Sequence, residues 1–180
     1  SVFNASTMDN QDYLKLNTDA TQADNGANLW GAAIPTSSVI GITANVAVLQ
    51  NTTCICYAFA PSQFISIGSY EGNADTDGVF VPTINSVGVQ IQPVWVLNKN
   101  IDATASWVLF DTVRNPYNIC SKYFYPDTTN SEQTADALDI VTGGFKWRNT
   151  NVLVNAANTY IYMAIGTPTI DTDGRIIGGH

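Results

Sequence analysis

The eleven residues Trp107-Val-Leu-Phe-Asp-Thr-Val-Arg-Asn-Pro-Tyr117 constrain the fold most tightly. Their first half alternates. Trp107, Leu109 and Asp111 point to one face of a strand, and Val108 and Phe110 to the other. Their second half is a polar corner, Arg114-Asn115-Pro116, where the proline ends regular pairing. An apolar strand running straight into a paired acid and base needs further strands on both sides, so the rest of the chain is read as packing around it.

The other segments repeat this scale. Residues 12–17 read as a short first strand and residues 18–28 as a loop. Residues 38–43 are β-rich. Residues 53–61 alternate cleanly, with Ile55, Tyr57 and Phe59 on one side and Cys54, Cys56, Ala58 and Ala60 on the other. Residues 64–70 form a strand closed by Glu71-Gly72-Asn73, and Val79-Phe80-Val81 a shorter one. Residues 87–97 alternate around Pro93, which implies an edge strand, a bulge or two strands meeting. Lys99 to Asp102 read as a turn into the central stretch. After Pro116 the pattern is irregular, anchored by Tyr117, Tyr123, Phe124 and Tyr125. Residues 137–141 and 145–148 make a hairpin across Thr142-Gly143-Gly144. Residues 152–154 and 160–166 are its continuation. Helix evidence is confined to residues 131–138, enough for one or two turns.

Strands at short spacing, separated by Gly, Asn and Asp, predict an all-β chain. The expected fold is a single β-sandwich, jelly-roll or concanavalin-like, with antiparallel strands and a C-terminal meander. The expected organisation is a polar N-terminal arm over 1–11, the sandwich over 12–166 and a tail over 167–180. No repeat of 20–50 residues is seen. The start at Ser1 fits a processed chain or a segment of a longer one.

Composition narrows the function. The net charge is −8 with seven Lys or Arg, and no basic cluster exists to grip phosphates, so nucleic acid is not an expected partner. Apolar runs are strand-length and far from the roughly 20 residues of a spanning helix, so membrane insertion is not expected either. Charged residues make up 12% of the chain, which leaves a surface of Asn, Thr, Ser and Gln, common among all-β extracellular and viral surface proteins. The sole histidine, His180, is the last residue, which removes Ser-His-Asp and Cys-His catalysis. A carboxylate-only glycosidase would have to draw on Glu71, Glu132 and the aspartates, most of which sit in turns. The expectation is a non-enzymatic chain. Cys54, Cys56 and Cys120 are expected as buried thiols, with a Cys120 disulfide to one of the others as the alternative.

Several constellations carry candidate roles. Asp111 and Arg114 are either a ligand-binding pair or a structural lock; the lock is favoured because Asp111 shares the Trp107 and Leu109 face and needs a partner there. Asn73-x-Asp75-x-Asp77-Gly78 has the spacing of the first half of a calcium loop, but the acid due at the twelfth position is Ile84, so an Asx turn is the favoured reading and no cofactor is required. Asp171 to Gly174 is a weaker version. Trp30, Tyr117, Tyr123 and Tyr125 are the candidates for exposed receptor or interface contacts. Lys146 and Arg148 share a face opposite Phe145 and Trp147, which reads as solvated or as paired with acids of another subunit.

An ordered set of short motifs runs through the chain: Cys56-Tyr57-Ala58-Phe59-Ala60-Pro61, Gly68-Ser69-Tyr70 with Gly72-Asn73, Thr76-Asp77-Gly78 with Phe80-Val81, Trp107 through Leu109, Asp111, Arg114, Pro116 and Asn118, Asp139 with Gly144-Phe145-Lys146 and Arg148, and Tyr160-Ile161-Tyr162-Met163-Ala164. In that order and spacing it resembles a domain of unknown function found in tailed-phage tail-fibre and tail-spike proteins, over residues 12–166. The resemblance implies a bacteriophage virion surface protein of β-sandwich type that attaches to the host. It would sit on the particle exterior, as a homo-oligomer with a trimer favoured, against other virion subunits and a host surface glycan or protein. A capsid decoration or head-fibre protein is the alternative, and a tail-spike glycan hydrolase the third reading. The family brings no catalytic residues with it.

Overall fold

The computed structural model describes residues 1–26, 29–42, 55–84, 88–170, 173 and 175. Among them there is no helix, and ten strands pair antiparallel throughout. A two-stranded hairpin joins β1 (Asp12–Tyr13) to β2 (Ala23–Asp24). The remaining strands are β3 (Ile65–Glu71), β4 (Phe80–Pro82), β5 (Ile91–Asn100), β6 (Val108–Asp111), β7 (Cys120–Phe124), β8 (Gln133–Val141), β9 (Gly144–Trp147) and β10 (Thr159–Pro168). They form one sheet in the order β3-β10-β5-β6-β7-β8-β9-β4.

This is the expected all-β, antiparallel class, in a sheet that curls until its end strands nearly meet. The Tyr162 hydroxyl lies 3.2 Å from the Pro82 carbonyl oxygen, and Ser66 Oγ 3.5 Å from that of Ile84, so the β10-β3 end reaches the β4 end. The result is sandwich- or barrel-like. From β5 to β9 the chain is a simple meander; β10 leaves it and returns to the far side of β5.

The Trp107–Tyr117 stretch holds the central place its pattern demands, since β6 pairs with β5 and β7. Val108 and Phe110 point inward, each 1% exposed, and meet Tyr123, Phe145, Trp147 and Tyr162 in the main core. Burying side chains of this size contributes about 2 kcal/mol each. Trp107 points outward into a second cluster with Met8, Leu14, Ile101 and Ile161. Residues 1–11 are therefore not a free polar arm in this structure. Val2 bridges Leu14, Met8 and Asn4 are buried, and the segment packs on Leu97 of β5, Ile161 of β10 and Trp107 just before β6.

Pro93 marks a bulge, one of the three arrangements expected of it. The β5–β10 register runs from Trp95 opposite Ile165 to Pro93 opposite Gly166, which skips Val94. The Val94 carbonyl is free to take the Thr112 amide at 3.0 Å instead.

Elsewhere local patterns yield to their surroundings. Residues 133–138 lie in β8 rather than in a helix, because Gln133, Thr134 and Leu138 pair with β7 and the β9 pairing begins at Leu138. The irregular stretch after Pro116 contains β7 for the same reason. Lys99 and Asn100 complete β5 rather than starting a turn. Residues 152–154 are turns, since Asn149 Oδ1 takes the Asn151 amide and Asn151 Oδ1 that of Leu153. Among the described residues the expected strands at 38–42 and 55–61 join no sheet, and 55–61 is exposed throughout. Thr43, Thr53, Cys54 and Val87, the turn at Asp171, Thr172 and Gly174, and His180 lie outside the described residues. Of the other cysteines, Cys120 is a buried free thiol and Cys56 is exposed, not buried as expected.

Candidate functional site: the 112–119 corner

Asp111 ends β6 and organises the corner that follows. Its Oδ1 accepts the backbone amides of Val113 at 3.0 Å and Arg114 at 2.9 Å. Its other oxygen lies 2.5 Å from Arg114 Nη2. The Arg114 guanidinium rests 3.9 Å above the Phe124 ring and faces Glu132 at 4.0 Å, which in turn meets Lys122 at 3.5 Å. Asn115 Oδ1 takes the Lys122 amide at 2.7 Å. Asn118 donates to the Ile140 carbonyl at 2.7 Å and accepts the Ile140 amide at 3.0 Å. Three side chains of the corner, Arg114, Asn115 and Asn118, thus tie it to β7 and β8.

The tip itself is apolar and solvent-facing. Val113 is 90% and Tyr117 83% exposed, with Ile119 at 41%. Apolar side chains on a backbone this well fixed lose little freedom on contact, the property that favours rigid aromatic anchors in recognition surfaces. The arrangement offers stacking and hydrogen bonding through the Tyr117 ring and hydroxyl. The cations beside it are all paired with carboxylates, and the Cys120 thiol below it is buried, its pKa raised by desolvation.

The other candidates from sequence fall elsewhere. Trp30 is 7% exposed, its indole N–H given to the Asp12 carbonyl at 2.8 Å and its ring edge-on to Phe3, so it packs the outer layer rather than offering a contact. Tyr123 is a core residue at 8% exposure, pushed up to about 12 by desolvation and by the Tyr125 hydroxyl beside it. Tyr125 is half-buried against it. Of the four aromatics, Tyr117 alone stands clear of the body.

Asn73, Asp75 and Asp77 are brought together, as turns. Asn73 Oδ1 accepts from Asp75 N at 3.1 Å and Asn155 Nδ2 at 2.8 Å, and Asp75 Oδ1 accepts from Asp77 N at 2.9 Å. Asp77 pairs with Lys146 at 2.8 Å, and that hydrogen bond holds its carboxyl below the usual range. One side-chain oxygen of each of the three is thus engaged within the chain. Arg148 pairs with Asp139, so Lys146 and Arg148 each meet an acid of their own chain.

Sequence reasoning missed Lys99. It is fully buried, and its ammonium donates to the Asn100 carbonyl at 2.7 Å and the Asp19 carbonyl at 3.3 Å. Desolvation lowers its pKa to about 8 despite Asp127 and Asp19 nearby. Its place on the Leu97 face, the face that residues 2–14 cover, was the signal that could have found it.

Fold and corner together define a class: an antiparallel β-domain that carries braced loops at its rim. The chain belongs to the family described as Domain of unknown function (DUF7483), whose model matches residues 1–167. That match takes in the first eleven residues as well. No curated protein and no solved structure matches the chain.

Proposed function

We propose that the protein is a bacteriophage virion surface protein, a tail-fibre-type module that attaches to the host surface without enzymatic activity. The observation that carries the attachment role is the tip of the corner, Tyr117 and Val113, exposed on a backbone braced by Asp111, Arg114 and Asn118. The ordered motifs, Cys56 to Pro61 through Tyr160 to Ala164, supply the phage setting. The partner at the tip is a host glycan or protein, and the module works beside other virion subunits as a homo-oligomer on the particle exterior. A binding role also suits the carboxylates Asp77, Asp111, Glu132 and Asp139, each of which is paired with a cation.

The test compares binding of the purified protein to susceptible and resistant host cells, with Tyr117→Ala alongside. Binding to susceptible cells alone, reduced by the substitution, is expected. Equal background on both would overturn the attachment role. A capsid decoration or head-fibre protein is the second reading, favoured by the exposed apolar residues Ile55, Tyr57 and Phe59, which suit subunit packing better than receptor contact. Labelling at every capsomer rather than the tail would decide for it. Release of reducing ends from host polysaccharide would instead favour a spike hydrolase.

A further inference from the structure

Residues 55–61 have the pattern of a strand without its surroundings. Ile55, Tyr57 and Phe59 are 78%, 79% and 56% exposed, and Cys56, Ala58, Ala60 and Pro61 are exposed too. They run into Ser62, which is bridged to Ile65 across Gln63 and Phe64. The Ser62 amide donates to the Ile65 carbonyl at 2.9 Å, and the Ile65 amide donates back at 3.3 Å. That is the first rung of an antiparallel hairpin onto β3. The outer edge of β3 is open beyond it. Peptide groups alternate from side to side along a strand. The Gly166 amide bonds the Phe64 carbonyl and the Gly72 amide bonds the Asn158 carbonyl, so the even-numbered residues of this stretch face β10. Ile67, Ser69 and Glu71 therefore turn their peptide groups outward, where no described strand meets them.

We propose that residues 55–61 are a strap that zips onto the outer edge of their own β3, continuing the Ser62–Ile65 bridge. The register is then fixed. Ala60, Ala58 and Cys56 exchange hydrogen bonds with Ile67, Ser69 and Glu71. Pro61, Phe59 and Tyr57 stand opposite Ser66, Gly68 and Tyr70, at the positions between those bonds. Pro61 has no amide hydrogen, and this register asks none of it. The two faces match as well. Ser66 is fully buried and Tyr70 packs on the main core, so Tyr57 and Phe59 turn to the inner side. Gly68 lets the Tyr162 ring lie across β3, since a Cβ there would stand 3.1 Å from it, and Phe59 extends that layer by one strand. Ile84, 36% exposed and with its carbonyl oxygen 3.5 Å from Ser66 Oγ, borders the place that Pro61 takes. Cys56 and Ala58 turn outward beside Ser69 and Glu71, which are exposed. Zipping withdraws Tyr57 and Phe59 from solvent, so the strap decides whether this apolar face is presented or hidden. The loop it must close is already closed at Ser62 and Ile65, which favours the chain's own edge over that of a second copy. The inference stands apart from the attachment reading at Tyr117, and either can fail alone.

Cysteine trapping tests the strap. Once zipped, residues 56 and 71 have Cα atoms about 5.5 Å apart, within disulfide reach, whereas 56 and 69 form a diagonal pair about 7–8 Å apart. The full chain carrying Glu71→Cys, or Ser69→Cys, is incubated at low concentration in a thiol–disulfide buffer. Peptide mapping by mass spectrometry assigns the bonded thiols. A disulfide of Cys56 with position 71 within one chain is expected, favoured about tenfold over position 69 through the local concentration that pairing creates. Ala58→Pro, which removes the amide that bonds Ser69, abolishes the preference. Equal yields at the two positions, a preference that survives Ala58→Pro, disulfides only between chains, or no disulfide at Cys56 would each overturn the proposal.

Discussion

The Asp111 carboxylate holds Arg114 twice, accepting its backbone amide at 2.9 Å on one oxygen and its guanidinium at 2.5 Å on the other. With the Val113 amide at 3.0 Å, one side chain fixes three donors at the start of the exposed corner. Replacing it with alanine leaves the three donors without their acceptor. Asp111→Ala is expected to cost about 2 kcal/mol and lower the melting temperature. A variant with unchanged melting temperature and lost cell binding would make Asp111 a contact residue instead.

Tyr117 is the opposite case. At 83% exposure its ring packs on little of the body, so Tyr117→Ala should leave stability within about 0.5 kcal/mol. Cell binding should fall, and Val113→Asp at the neighbouring tip position should act the same way. Denaturant unfolding and a cell-binding assay on the same preparation separate the two effects. Full binding by both variants would move the attachment surface elsewhere.

Much of this was legible in the sequence. The alternation of Val108 and Phe110 against Trp107 and Leu109 placed β6 correctly because a two-residue period is local. The Thr142-Gly143-Gly144 turn marked the β8–β9 hairpin, and Gly143 indeed sits at φ +75°, a conformation that favours glycine. What could not be read depends on distant neighbours. Residues 131–138 carry helical propensity, and pairing with β7, with the β9 pairing that begins at Leu138, makes 133–138 a strand. Trp30 looked exposed beside Gly31 because its acceptor, the Asp12 carbonyl, lies eighteen residues away. Residues 55–61 misled in the other direction: their strand pattern is genuine, but no described strand of this chain pairs with them.

Lys99 predicts an unusual pH dependence. Its pKa falls from 10.5 to about 8 on folding, so between those values the unfolded chain holds the proton more often than the folded one. Stability should therefore rise as pH increases from about 8, recovering at most on the order of 3 kcal/mol. Tyr160 and Tyr123 act the other way. Desolvation pushes both up to about 12 from 10.0, so above pH 10 the folded state keeps protons the unfolded state loses, and stability falls. Unfolding across pH 7 to 11 should show a maximum near 10. Lys99→Met should remove the rising limb and keep the falling one.

Asn155 holds the loop that leads into β10. It is fully buried, and its amide nitrogen lies 2.8 Å from Asn73 Oδ1, 2.9 Å from the Asp75 carbonyl and 2.9 Å from the Asn149 carbonyl, while its oxygen takes the Asn73 amide at 3.1 Å. Asn155→Leu would remove all four of these contacts and should cost about 3 kcal/mol. Hydrogen exchange should accelerate in both 72–78 and 149–158. Acceleration in 149–158 alone would show that the two loops are held independently.

The outer layer has a spectroscopic consequence. Trp30 and Trp107 each donate an indole N–H to a carbonyl of the N-terminal segment, at Asp12 and Lys15, whereas Trp147 is sealed inside the sheet at 0% exposure. Peeling the first sixteen residues away would wet two indoles and leave the third dry. Tryptophan emission should then shift red in two steps, and the first would time the release of the N-terminus while the β-sheet is still whole.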